Sequence, residues 1–166
     1  AAEMAAGFAS HDAIAPTVSD KIGGDIISAG ANGSGRLIAN FGVGVNHIDL
    51  EAAAAADIHV SNTPGVLTNA TADLALTLIL MLTRRAGEGE RELRSGSWNG
   101  WRPTHLMGRA LQGKTLGIIG MGRIGKAVAH RAALGFGMEI VFQNRSQVTD
   151  TFDYSARQLD DVDSVC

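Results

Sequence analysis

The chain has little of what disulfide-linked, metal-binding or membrane-spanning proteins need. Its 166 residues include only 1 cysteine, Cys166, so neither a disulfide framework nor a CxxC metal pair can form within it. The longest apolar run, residues 74–82, is much shorter than the roughly 20 residues that cross a bilayer. These absences predict a cytoplasmic protein with no membrane partner and no metal site.

The chain also has few aromatic residues and no excess of basic over acidic residues. Aromatics make up 5% of the chain and the net charge is −3, which argues against nucleic acid as a main partner. By contrast, glycine is abundant, with 21 residues, and hydrophobic residues reach 45%. This composition is typical of an α/β protein with many tight turns between strands and helices.

Both ends of the sequence read as interrupted. The chain begins Ala1-Ala2-Glu3 without an initiator Met, and it stops at Cys166 inside a segment typical of a further helix–strand unit. We therefore expect a fragment that continues in both directions and is inactive alone.

Short apolar segments alternate with helix-forming ones in the first part of the chain. Strands are predicted at 13–16, 37–41 and 58–61, with a helix at 50–56, an order that implies a parallel sheet. The Pro–Gly turn at 62–65 then marks a boundary. We predict one domain over residues 1–67.

A strongly apolar helix is predicted directly after this boundary, over residues 71–85. Only a narrow stripe with Asp73, Thr77 and Arg84 is polar, so the helix should be buried between domains or against a second subunit. Residues 68–105 are therefore predicted to form an interdomain segment.

The most informative pattern lies at residues 116–125, where an apolar strand runs into a GxGxxG turn and then a helix. Gly120 suits the tight turn, Gly122 lets the backbone approach a pyrophosphate, and Gly125 allows close packing of helix on sheet. The helix N-terminus favours the anion. We predict a dinucleotide-binding domain over residues 106–166.

The end of the next strand, predicted at 138–142, bears on the choice of cofactor. Enzymes that prefer NAD place an acid there to hold the ribose 2′-hydroxyl. Here the chain reads Asn144-Arg145-Ser146 with no carboxylate, and a guanidinium can pair with a 2′-phosphate. This predicts NADP, while a merely solvated Arg145 would leave NAD possible.

Several spaced motifs carry a family resemblance. They are IANFGVGVNHID at 38–49, VSNTPGVLT at 60–68, ATADLA at 70–75 and LQGKTLGIIGMGRIG at 111–125. With them the chain resembles the D-isomer-specific 2-hydroxyacid dehydrogenase family, and within it the glyoxylate and hydroxypyruvate reductases. The similarity runs nearly continuously over residues 12–145.

The resemblance implies two doubly wound α/β domains, both truncated here: a flavodoxin-like substrate domain and a Rossmann NAD(P)-binding domain, with the active site in the cleft between them. It implies hydride transfer from the nicotinamide cofactor, which the end of the second strand predicts to be NADPH, to a small 2-oxo acid such as glyoxylate or hydroxypyruvate. It also implies a homodimer through the 68–105 segment, with Trp98 and Trp101 near the interface.

The resemblance also assigns site residues. Val43 and Gly44, in the loop at 42–45, would hold the substrate carboxylate, and a Gly-Val-Gly turn does expose successive amides to an anion. Thr71 would lie near the nicotinamide, and the pyrophosphate would contact Gly122, Arg123 and Ile124. Without the family, the loop reads as a simple tight turn and Thr71 as a helix cap.

No catalytic residue is identified in the chain. The family's chemistry needs an Arg on the substrate carbonyl, a His as general acid and a carboxylate partner, and all of these are expected beyond Cys166. His47, beside the 42–45 loop, is the only suggestive histidine, and a structural role suits it better.

Two alternatives to a glyoxylate-type reductase stay open. One is a non-catalytic regulatory module of the same fold that senses the cofactor; it would keep the glycine turn and could lose the loop at 42–45. The other is an NAD-dependent dehydrogenase of the phosphoglycerate type, against which the absence of an acid at Asn144 counts.

Overall fold

The computed structural model describes residues 1–166, which divide into two compact units, Ala1–Val66 and Leu67–Cys166. Each unit contains its own parallel three-stranded sheet. The prediction of an α/β chain with parallel sheets is therefore confirmed. The second unit includes both the predicted interdomain segment and the predicted nucleotide domain, whose separate roles stay predictions.

The first unit alternates helices and strands. In chain order its elements are α1 (Ala2–Ser10), β1 (Ala13–Ile14), α2 (Gly24–Asn32), β2 (Leu37–Ala39), α3 (Leu50–Ala55) and β3 (His59–Ser61). The strand order is β1-β2-β3, and Ile38 at the centre pairs with Ile14 on one side and Val60 on the other. The carboxyl end of β2 therefore leads directly into the 42–45 loop.

The core of the first unit is built from aliphatic residues around one aromatic ring. Phe8 is fully buried with Ile26, Ile27 and Ile38. Gly30 faces the Phe8 ring so closely that an added Cβ would overlap it. The small residues of α2 thus allow α1 and α2 to pack tightly.

The second unit begins with two consecutive helices and continues as a strand–helix–strand unit. Its elements are α4 (Thr68–Thr83), α5 (Ala86–Arg94), β4 (Thr115–Ile119), α6 (Arg123–Phe136), β5 (Glu139–Gln143) and β6 (Ala156–Gln158). The strand order is β4-β5-β6. Arg131 of α6 joins α4, because its Nε donates to Asp73 Oδ1 at 2.7 Å and its Nη2 to Asn69 Oδ1 at 3.1 Å.

The structure adds three elements that the sequence pattern did not predict. The helix α2 starts at a pair of glycines, α5 is rich in charged residues all round, and β6 is a short strand without an apolar run. Each gives a weak signal in the sequence, because the two nine-residue helices contain few large apolar residues and β6 contains none. The nucleotide domain therefore contains a third parallel strand, where only two were expected.

The helix α4 is buried on one side only within this chain. Ala72 and Leu76 are buried, but four large apolar residues are 43–80% exposed: Leu74, Leu78, Met81 and Leu82. The predicted burial of that side between domains or against a second subunit stays a prediction. No helix of the chain is both long and apolar enough to span a membrane.

Candidate functional site

The glycine turn, residues 120–125, connects the end of β4 with the start of α6. Gly120 has φ +96°, a conformation that favours glycine, and its amide donates to Gln143 O at 2.8 Å. The turn therefore leaves the sheet at the carboxyl end of β4, beside the end of β5.

The other two glycines of the turn differ in what surrounds them. A Cβ on Gly125 would overlap the carbonyl oxygen of Gly120, whereas a Cβ on Gly122 would have nothing within 4 Å. Gly125 is therefore needed for packing inside the protein, and Gly122 borders open space where a ligand backbone contact is possible.

The first turn of α6 has the properties of an anion-binding helix end. Its N-cap, Gly122, has no side chain to accept from the helix amides, and the first turn contains no acidic residue. The amides of Arg123, Ile124 and Gly125 donate to no protein acceptor, as expected for the start of a helix. Unpaired amides and the helix dipole both favour a phosphate group here.

The residues after β5 come close to this turn. Asn144 accepts from the Met121 amide at 3.2 Å, and its Nδ2 donates to Ser146 O at 3.0 Å. Arg145 is exposed and forms no ion pair in the structure. The structure thus brings the predicted dinucleotide-binding residues 120–125 and 144–146 together at the carboxyl ends of β4 and β5.

One ion pair links α6 to the segment beyond this site. Lys126 Nζ lies 2.6 Å from Asp150 Oδ1. The hydrogen bond from Lys126 holds the pKa of the Asp150 carboxyl below its usual value, despite some opposing desolvation. Both charges are therefore partnered, whereas Arg145 beside the turn and Arg123 within it are exposed and form no ion pair.

The 42–45 loop lies in the other unit, at the carboxyl end of β2. Every carbonyl in it accepts from the protein. Gly42 O accepts from Thr63 N at 3.0 Å, and Val45 O from Ile48 N at 3.0 Å. Asn62 Nδ2 donates to Val43 O at 3.0 Å, and Gly44 O is held by Asn40.

The amides of the same loop behave in the opposite way. The N–H groups of Val43, Gly44 and Val45 donate to no protein acceptor. Consecutive amides without a protein acceptor, beside carbonyls that are all engaged, are available to donate to an anion. This geometry is compatible with the predicted carboxylate site at Val43 and Gly44, whose assignment stays a prediction.

An open hollow of about 660 Å³ adjoins this loop and is lined in part by Gly44, His47, Lys21 and Asp49. The Nε2 of His47 pairs with Asn40 Oδ1 at 3.0 Å. Asp20, next in the chain to Lys21, accepts from Thr17 N at 2.7 Å and Thr17 Oγ1 at 2.9 Å. These hydrogen bonds lower the pKa of the Asp20 carboxyl.

Thr71 lies one turn inside α4, since that helix begins at Thr68. Its Oγ1 donates to Leu67 O at 2.8 Å, so it does not cap the helix amides. The side chain is exposed, and its proposed place near the nicotinamide stays a prediction.

Sequence reasoning missed two asparagines that shape the 42–45 loop. Asn40 and Asn62 hold three of its carbonyls between them. The available signal was an Asn directly after a buried strand, a place where Asn side chains often bond nearby backbone. That signal is too common to single out these residues without the structure.

Comparison with known proteins identifies the family. Residues 76–166, more than half of the chain, match the family model described as D-isomer specific 2-hydroxyacid dehydrogenase, NAD binding domain. The chain belongs to this family. The matched part contains the glycine turn and β5, so the predicted nicotinamide-dinucleotide domain is confirmed, without a distinction between NAD and NADP.

Individual relatives extend the similarity to the first unit. A glyoxylate reductase of Thermococcus litoralis is 45% identical over 140 residues, covering 82% of this chain and 41% of the relative. A glycerate dehydrogenase of Hyphomicrobium methylovorum is 41% identical over 165 residues, covering 98% of this chain and 51% of the relative. The chain thus spans about half the length, or less, of these relatives.

A solved structure shows the same arrangement of elements. The crystal structure of a glyoxylate reductase from Paecilomyes thermophila matches with a TM-score of 0.77 and 34% identity, covering 93% of this chain and 47% of that chain. The fold and the family therefore agree.

Proposed function

We propose that this chain is part of an oxidoreductase that transfers a hydride from NADPH to a small 2-oxo acid, glyoxylate or hydroxypyruvate. The observation that carries the proposal is the 42–45 loop, whose carbonyls are engaged and whose amides are free. A module that only senses a dinucleotide has no need of a second anion site. An enzyme acting on a carboxylate substrate does.

Each unit would contribute one kind of recognition. The amides of Val43 and Gly44 would hold the substrate carboxylate, and those at the start of α6 would hold the cofactor pyrophosphate. When bound, the reduced nicotinamide supplies the hydride for the carbonyl carbon. The groups that polarise the carbonyl and protonate the alkoxide are proposed to belong to the rest of the full-length protein.

The choice of NADPH rests on the end of β5. No carboxylate follows that strand to repel a 2′-phosphate, and Arg145 is exposed without an ion-pair partner. A charge-assisted hydrogen bond of this kind contributes about 1.5–3 kcal/mol. That range is sufficient for a preference of about tenfold or more between the two cofactors.

The experiment compares NADPH and NADH as cofactors for the full-length gene product, with glyoxylate and hydroxypyruvate as substrates. Arg145→Ala should raise the KM for NADPH about tenfold or more and leave that for NADH unchanged. Arg109→Ala is the matched control, because this exposed arginine precedes β4 at the opposite end of the sheet. A wild-type preference for NADH would refute the NADPH assignment, and no turnover of either acid would refute the substrate class.

We also propose that the protein self-associates through α4. The exposed residues Leu74, Leu78, Met81 and Leu82 recur at helical spacing and form one apolar stripe. Such a contiguous apolar surface marks an interaction site. In sedimentation velocity, Leu78→Lys should convert a dimer into monomers, while Leu50→Lys in the first unit should not. A monomeric wild type would contradict this proposal.

We also propose a cytoplasmic location for the protein.

A further inference from the structure

Asn40 is the one polar side chain in the buried core, with 2% of its surface exposed. It comes directly after β2 and turns back onto the 42–45 loop. Its Nδ2 donates to Gly42 O at 3.1 Å and to Gly44 O at 2.9 Å, and its Oδ1 pairs with His47 Nε2 at 3.0 Å. All the hydrogen bonds of this amide group are therefore made within the loop region.

This network determines how each group is oriented. Two carbonyl oxygens can be satisfied only by the NH₂ end of the amide, so Oδ1 must face His47. Because Oδ1 is an acceptor, His47 must carry a proton on Nε2. His47 thus acts on Asn40 as a donor that keeps the amide from rotating.

The orientation of Asn40 has a consequence for the backbone. In a trans peptide the carbonyl and the following N–H point in opposite directions. The carbonyl of Gly42 shares its peptide plane with the Val43 amide, and that of Gly44 shares its plane with the Val45 amide. Since both carbonyls turn inward to Asn40, both of those amides turn away from the core.

Asn62 fixes the peptide plane that lies between the two planes held by Asn40. Its Nδ2 holds Val43 O at 3.0 Å, and that carbonyl shares a plane with the Gly44 amide. Asn62 is exposed, whereas Asn40 is buried. The two asparagines together therefore fix three consecutive peptide planes.

We propose that Asn40, oriented by His47, is a positioning residue for the 42–45 loop: it fixes the peptide planes of the Val43 and Val45 amides on either side of the Gly44 amide, so that the Val43 and Gly44 amides can hold the substrate carboxylate. The inference rests on the proposed function, because it assumes that the 42–45 loop receives a carboxylate. Without Asn40 the Gly44 carbonyl loses its donor, and the Gly42 carbonyl keeps only the bond from Thr63 N. The two peptide planes can then rotate and turn a carbonyl toward the anion, which repels it.

The first test measures binding without turnover. In the ¹⁵N-labelled chain, titrated with oxamate as a stable carboxylate analogue, the amide signals of residues 43–45 should shift. Asn40→Ala should weaken that binding about tenfold, equivalent to about 1.4 kcal/mol. Asn32→Ala is the control, since this exposed asparagine at the end of α2 makes no side-chain hydrogen bond.

The second test separates positioning from a structural role. In the full-length protein, Asn40→Ala should raise the KM for glyoxylate about tenfold and leave the KM for NADPH unchanged. Turnover of glycolaldehyde, which has no carboxylate, should stay near the wild-type rate. An equal loss on both substrates would show a general structural defect and would overturn the proposal.

Two milder variants keep the test decisive if Asn40→Ala does not fold. Asn62→Ala and His47→Ala should each weaken oxamate binding about threefold, because each removes one support of the loop. If wild-type amides respond to oxamate and none of these variants differs from wild type, Asn40 is not a positioning residue. If the wild-type amides do not respond to oxamate at all, the proposed carboxylate site in the 42–45 loop is refuted, and with it the role of Asn40.

Discussion

The 42–45 loop and the glycine turn both follow a strand of a parallel sheet, and both leave consecutive amides without a protein acceptor. They are held in different ways. In the loop, asparagine side chains grip the carbonyls. In the turn, the backbone is fixed by the positive φ of Gly120 and by the close packing of Gly125 against the Gly120 carbonyl.

This difference matches the two anions we assign to them. A pyrophosphate is large and doubly charged, and the start of a fourteen-residue helix offers a dipole in addition to its amides. A carboxylate is small, and a loop without a helix can bind it only if each peptide plane is fixed beforehand. Side-chain support is therefore expected where helix support is absent.

The largest effect should come from breaking the packing of the glycine turn. Gly125→Ala places a methyl group against the backbone carbonyl of Gly120, which cannot move aside without shifting β4 or α6. We expect a loss of about 3 kcal/mol in the free energy of unfolding, measured by urea denaturation.

Gly135, in the same helix, provides the matched control. A Cβ there has nothing within 4 Å. Gly135→Ala should raise the free energy of unfolding by roughly 0.5–1 kcal/mol through helix propensity. If both substitutions had the same effect, close packing at Gly125 would not be the reason for its glycine.

An intermediate effect, mainly on binding, is expected where the glycines border open space. Gly122→Ala and Gly44→Ala each meet nothing within 4 Å, so the free energy of unfolding should change by about 1 kcal/mol or less, with the larger change at the N-cap Gly122. Gly122→Ala should weaken NADPH binding about tenfold, by calorimetry. Gly44→Ala should instead weaken oxamate binding.

This pair of variants tests whether the two regions are separate sites. Each substitution should affect its own ligand and leave the other ligand's affinity unchanged. A loss of both affinities in either variant would mean that the regions cannot be treated as independent anion sites.

The same contrast explains what could be predicted from the sequence. The glycine turn was found because its three glycines serve backbone needs at fixed spacing, and the strands on either side have clear apolar runs. The role of Asn40 could not be found in this way. It depends on a side chain that turns back onto carbonyls two and four residues later, which no periodicity reveals.

Elements with few large apolar residues were missed for a related reason. The strand β6 has only Ala156, Arg157 and Gln158, and it forms because it pairs with β5 in parallel register. The apolar side of α4 was expected to be buried between domains or against a second subunit, and the sequence does not distinguish the two, because apolar residues look alike whichever partner covers them. Strand pairing in the tertiary structure and contacts with other molecules therefore cannot be predicted from the hydrophobic pattern of the sequence.

The smallest effect concerns two aspartates, one in each unit. Hydrogen bonds from Lys126 lower the pKa of Asp150, and hydrogen bonds from Thr17 lower that of Asp20. A lowered folded-state pKa means that each carboxylate stabilises the fold above its unfolded pKa, and that this stabilisation is lost as the pH falls through the folded one. Asp150→Asn and Asp20→Asn should therefore each lower the thermal midpoint slightly at pH 7, and the difference from wild type should disappear once the pH falls below the lowered folded-state pKa of each carboxyl.

Salt should distinguish these two aspartates, because only Asp150 pairs with a full opposite charge. At 0.5 M NaCl the difference between Asp150→Asn and wild type should shrink, since an exposed ion pair is screened. The difference for Asp20→Asn should persist, because Thr17 donates from neutral groups. Equal salt sensitivity of the two variants would show that the Lys126–Asp150 contact does not act as an ion pair, and that both units use the same neutral hydrogen bonding at these positions.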